Sequence, residues 1–145
     1  MVARFSADEA TAATCQRLQE RLKPLADADA DAYGAYLKAI RLPKDADGRA
    51  EQVSATLSAA TDVPMQMVEL AAEVVEHASR LAREGNPRLK GDAIAAVMVG
   101  AAAARSAAAL VAINLQGVAD PRPRSAHATA AAAQSHADAL WTAPG

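Results

Sequence analysis

The sequence predicts an all-α fold, an up-and-down bundle of four to five helices, and three observations carry that prediction. Apolar residues recur at three- and four-residue steps, as in Leu18, Leu22 and Leu25, and again in Met67, Leu70, Val74 and Leu81. Nothing alternates with period two over a useful length. Hydrophobic residues make up 52% of the 145 residues and aromatics only 3%, much of the remainder being alanine. Small side chains bury little area each, so such a core packs helix backbones close together, and association would help stability.

The elements follow in order. Ser6-Ala7-Asp8-Glu9 has the spacing of a capping box and opens a helix that runs to about Ile40. Pro24 removes one backbone donor and predicts a kink, and Gly34 is a second weak point. Leu42-Pro43 ends that helix, because a residue before proline avoids helical dihedrals. After the polar stretch Lys44–Gly48, a second helix starts near Arg49. Pro64 then breaks it or begins a new one. The helix from Met65 closes at Gly85. Asn86–Gly91 is a loop, and Asp92 is the expected N-cap of an alanine-rich helix ending near Gly117. Residues 120–124 read as an extended linker before a last helix, about Ser125 to Leu140. The expected division is a helical domain over residues 1–120, with residues 121–145 packing a linker and helix on it.

Charge and cysteine usage narrow the classes. Net charge is −2 with no basic run, which argues against a nucleic-acid or anionic-membrane partner. A single cysteine, Cys15, forms no internal disulfide and suits the cytosol, and the first residues carry no secretory pattern, so a cytoplasmic location is expected. Ala93–Val118 is long enough to span a bilayer, but it is alanine-rich, carries Arg105 near its middle and lacks basic flanks. It is expected to be a buried helix of a soluble domain.

Two polar residues sit on apolar faces. Asp27, Asp29 and Asp31 alternate, and at about 100° per residue Asp29 points about 160° away from the other two. It falls within the stripe Leu18, Leu22, Leu25, Tyr33, Tyr36 and Ile40. A carboxylate there either bonds a neighbouring helix or lines a cleft, ready for proton transfer. Asn114 shares a face with Leu110, Val111 and Val118, as a tie between helices or a donor and acceptor facing a ligand. With Lys44, Asn86 and Asp92, these two would supply carboxylates, a cation and amides, a set suited to a polar heterocycle carrying its own carboxylates. No metal or cofactor is expected. Glu69, Glu73, Glu76 and His77 share one helix without an answering cluster, His127 and His136 are expected to be exposed, and no phosphate loop or nucleophile pattern occurs.

The ordered set Asp27-Ala-Asp29, Tyr33, Arg41-Leu-Pro-Lys44, Arg49, Val63-Pro64, Gly85-Asn86, Gly91-Asp92 and Ile113-Asn114-Leu115 resembles the cyclodeaminase domain of formiminotransferase-cyclodeaminase and its stand-alone bacterial relatives. The resemblance spans about Phe5 to Asp120. It implies a helical homodimer acting on a tetrahydrofolate derivative: closing 5-formiminotetrahydrofolate to the 5,10-methenyl form with loss of ammonia, or acting as a methenyltetrahydrofolate cyclohydrolase. It implies Asp29 as general acid and base. By the same resemblance Lys44 and Arg49 hold the folate's carboxylates, and Asn86, Asp92 and Asn114 bind the pterin or orient Asp29. Two departures are expected to weaken binding: the family's leading Gly-Gly-Gly-Ser loop and first helix are not seen, and Leu110 stands where the family has asparagine. The competing expectation is therefore a shortened, non-catalytic helical dimerisation module.

Overall fold

Five α-helices make up the computed structural model, which describes residues 9–142: α1 (Glu9–Leu22), α2 (Leu25–Ile40), α3 (Arg49–Glu84), α4 (Lys90–Asn114) and α5 (Arg122–Trp141). A single 3-10 turn, Pro87–Leu89, joins α3 to α4. No strand occurs among the described residues. The capping box rests on Ser6, which lies outside them.

The prolines behave differently from one another. At Pro24 the expected kink is a full break. The missing N–H ends α1 at Leu22, and α2 restarts when Ala28 N–H donates to the Pro24 carbonyl at 3.0 Å. Gly34 leaves α2 uninterrupted. Pro64, expected to break its helix, sits buried inside a continuous 36-residue α3, about 54 Å long at 1.5 Å per residue. Pro123 opens α5, which therefore begins at Arg122 rather than Ser125 and shortens the linker. Asp92 is not the cap of α4: that helix starts two residues earlier at Lys90, and Asp92 sits in its first turn, where a negative charge favours the helix dipole.

Helix α3 is the spine and packs against each of the other four. Val68 and Val75 of α3, Val97, Ala104 and Val111 of α4, and Ala126, Ala130 and Ala133 of α5 form the main core. Leu18 of α1 and Leu25 of α2 close a second cluster on Val63 and Leu70. Helices α3 and α4 approach very closely where they cross. A Cβ built on Gly100 would stand 2.7 Å from Val75 Cγ2 and 3.6 Å from the Ala71 carbonyl. They run antiparallel, since Gly100 meets Val75 while Asn114 reaches Ala60.

Helix α4 passes for a membrane span by length and composition. The expectation that it is buried holds for one side only. Val97, Ala104 and Val111 are buried, while Val99 and Ile113 are 70% and 65% exposed and Leu110 is 45% exposed.

Candidate functional site

Asp29 is half-buried on α2. The helix turns its alanine edge inward: Ala28 and Ala32 pack against the Leu18–Leu25–Val63–Leu70 cluster and Ala39 is buried, while Tyr33 is 51% exposed. The expected stripe is therefore rotated. Alanine lets α2 lie close on α3, and this pushes the tyrosines to the rim, where the rings of Tyr33 and Tyr36 meet at a tilt of 42° with centroids 6.3 Å apart. Asp29 sits at the edge of the interhelical contact instead of inside it. No hydrogen bond or ion pair reaches its carboxylate among the described residues, so its oxygens are open to an incoming group.

Lys44 and Arg49 lie at the N-terminal end of α3, and Asn114 meets that helix eleven residues further on, at Ala60. Lys44 is exposed on the α2–α3 loop. Arg49 is committed to the backbone: its Nε donates to the Leu42 carbonyl at 3.1 Å and its Nη2 to that of Ile40 at 3.0 Å, satisfying acceptors at the C-terminus of α2. Asn114 Nδ2 donates to the Ala60 carbonyl at 3.3 Å. That acceptor is the one orphaned by Pro64, whose ring nitrogen carries no proton for the carbonyl four residues back. The asparagine on the apolar face is thus a tie between helices.

Sequence reasoning missed Arg122. Its Nη1 donates to Asp62 at 2.7 Å and to the Ser58 carbonyl at 3.2 Å, and its Nη2 donates to Asp120 at 2.7 Å. Its backbone N–H also donates to Asp120 at 2.8 Å. These side-chain and backbone bonds hold the Asp120 carboxyl below the ordinary carboxylate range, and Asp120 in turn raises the Arg122 guanidinium. The aspartate two residues before an arginine at a proline-opened helix start was the available signal.

Asn86 and Asp92 lie at the other end. Asn86 Oδ1 accepts from Arg88 N–H at 3.0 Å and caps the 3-10 turn. Asp92 is exposed. Twenty-two residues of α4 separate Asp92 from Asn114, about 33 Å along the axis. One chain therefore holds Lys44 and Arg49 at one end of α3 and Asn86 and Asp92 at the other, with Asp29 eleven residues before the end of α2 and Asn114 against Ala60, eleven residues into α3, each about 16 Å from the Lys44–Arg49 end.

No group of three or more metal-ligating side chains occurs among the described residues. Between the α1–α2 junction, α3 and α4 runs an open groove of about 610 Å³, lined by Leu22, Leu25, Met67, Val99 and Leu110 with Ser106 the single polar side chain; Asp29 lies one turn beyond it.

The chain matches the family model described as formiminotransferase-cyclodeaminase over residues 4–133. It is 36% identical over 96 residues to a methenyltetrahydrofolate cyclohydrolase of Methylorubrum extorquens, a match covering 63% of this chain and 46% of that protein. It is also 36% identical over 104 residues to the formimidoyltransferase-cyclodeaminase of Sus scrofa, covering 69% of this chain and 19% of that protein. The chain thus spans less than half the length of these two relatives. The fold is that of the formiminotetrahydrofolate cyclodeaminase of Thermotoga maritima, with a TM-score of 0.81, 21% identity, and 97% of this chain matched to 77% of that one.

Proposed function

The chain belongs to the formiminotransferase-cyclodeaminase family, and we propose that it acts on a tetrahydrofolate derivative by cyclodeaminase or cyclohydrolase chemistry, with Asp29 as general acid and base. The observation that carries this is a half-buried carboxylate with no ionic or hydrogen-bonded partner among the described residues, set beside an apolar wall. The relatives' names supply the reaction class.

In the cyclodeaminase direction the folate's N10, outside the pterin ring, attacks the formimino carbon held on N5, a C–N bond forms, and the bond to the terminal nitrogen breaks as ammonia leaves. One proton must pass from the attacking nitrogen to the departing one. A single carboxylate does both halves, accepting and then donating. The cyclohydrolase reaction needs the same shuttle, taking a proton from water and returning it to the nitrogen released. Lys44, exposed on the α2–α3 loop, would meet a substrate carboxylate in this reading. Arg49 and Asn114 contribute by holding helix positions, since their donors serve backbone carbonyls. The proposal extends to a homodimer, which the bare side of α4 supports, and to a cytoplasmic location, which the single cysteine suits.

The test is spectrophotometric turnover of methenyltetrahydrofolate and of 5-formiminotetrahydrofolate. Asp29→Asn is expected to lower kcat about 10²–10⁴-fold with folate binding retained. An active wild type whose Asp29→Asn form turns over equally fast would remove Asp29 from the mechanism. One observation favours the second reading, a non-catalytic helical module: Arg49, Asn86 and Asn114 all spend bonds on the backbone. Absence of folate binding by calorimetry would select it.

A further inference from the structure

We propose that Tyr33, braced by Tyr36, is the stacking platform for the flat aminobenzoyl ring of the substrate, and that it fixes the direction in which the folate lies across Asp29. The inference rests on the reading of Asp29 as proton carrier for a tetrahydrofolate derivative and adds the residue that orients that substrate.

Helix geometry sets the position. Tyr33 follows Asp29 by four residues on α2, so it stands on the same side of the helix, about 6 Å further along. Side chains on a helix lean toward its N-terminus, which carries the Tyr33 ring back over the turn that bears Asp29. Tyr36 leans on Tyr33 in the same way, three residues on, with the two ring centroids 6.3 Å apart. That contact restricts the Tyr33 ring and still leaves the residue 51% exposed. Burial does not hold the ring there, and its hydroxyl makes no hydrogen bond among the described residues. The chain has four aromatic side chains, Phe5, Tyr33, Tyr36 and Trp141, and the two tyrosines stand within about two turns of this carboxylate. A ring braced at one edge and open on its face is a flat apolar surface that a second ring covers by offset stacking.

Charge sets the direction. The substrate has two flat parts that meet at the reacting nitrogens, the pterin on the N5 side and the aminobenzoyl ring on N10. From N10 outward come the aminobenzoyl ring, an amide and the glutamate carboxylates. From Asp29 toward the end of α2 come Tyr33, Tyr36 and Ile40, and then the loop that carries exposed Lys44. The aminobenzoyl-glutamate arm spans about 10 Å and an extended lysine side chain about 6 Å. Together they match the distance of about 16 Å from Asp29 to the end of α2. The opposite lay would send the carboxylates into the groove on the other side of Asp29. The lining of that groove holds no cation and a single polar side chain, Ser106. Lys23, at the α1–α2 junction, is already paired with Glu20 at 2.7 Å. Two carboxylates against those apolar walls would lose hydration without gaining a partner.

The test uses the full chain. Titration with p-aminobenzoylglutamate to millimolar concentration, followed by proton NMR, is expected to move the ring signals of Tyr33 upfield. The chain has two tyrosines, so Tyr36→Phe assigns those signals. A bare tetrahydropterin is expected to leave them in place. With methenyltetrahydrofolate as substrate, Tyr33→Leu is expected to raise KM about tenfold with kcat within about threefold, and Tyr33→Phe, which keeps the ring, to return KM to the wild-type value. A merely structural role would lower stability in urea unfolding and leave KM unmoved. An active wild type whose Tyr33→Leu form has an unchanged KM overturns the platform. Shifts caused by the pterin instead of the aminobenzoyl probe overturn the direction. A wild type that is inert on both folates while p-aminobenzoylglutamate still moves the Tyr33 signals removes the folate reaction and leaves the platform standing. One that shows neither turnover nor shifts overturns both.

Discussion

Asn114 shows how one residue is decided by another far away in sequence. Pro64 strips the Ala60 carbonyl of its donor, and the Asn114 amide replaces it across 54 positions. Asn114→Ala is expected to cost about 1–2 kcal/mol in urea unfolding, the penalty of leaving a carbonyl unpaired. In a Pro64→Ala background the helix supplies its own N–H, so the same change should cost much less; equal costs in the two backgrounds would refute the pairing. Arg122 yields a pH prediction. Its bonds depress the native Asp120 pKa, so the stability they contribute is complete above the unfolded value of about 3.9 and is lost as pH falls through the lower native one. Unfolding curves of wild type and Arg122→Gln should differ by a constant amount from roughly pH 5 to 7 and begin to draw together below about pH 4, as pH falls toward the lower native value. Asp29 was legible as the odd residue of its triplet. Its position at the edge of the contact was not, because the pattern weighed Tyr33 and Tyr36 above the alanines that α2 turns inward.

At the level of elements, helix identity followed from periodicity, and the boundaries followed from proline chemistry with unequal success. Pro24 and Pro123 sit where their helices end or begin, whereas Pro64 is overridden by tertiary contacts: Asn114 and Arg122 both donate to carbonyls near it. Gly100 is the sharpest case of packing against propensity. Alanine is the better helix former by about 1 kcal/mol. Yet its Cβ would stand 2.7 Å from Val75 Cγ2, on a β-branched side chain that is fully buried. Gly100→Ala is therefore expected to destabilise, by about 1–2 kcal/mol net of propensity, in thermal and urea unfolding. A gain in stability would mean that α3 and α4 part more easily than their crossing implies.

For the whole molecule, the bare side of α4 ties stability to concentration. If a second copy covers it, the melting temperature rises with protein concentration, and Val99→Asp with Ile113→Asp abolishes that dependence. A melting temperature independent of concentration over a hundredfold range would remove the second copy. The all-α architecture and its family were written in local order, since a period of 3.6 and the backbone chemistry of proline act within a few residues; the inward side of α2 was not. Which polar groups meet was settled only when α3 ran straight for about 54 Å. That length sends Asn86 and Asp92 to one end and Lys44 to the other, with Asn114 between them at Ala60, and no local pattern encodes a distance that a continuous helix creates.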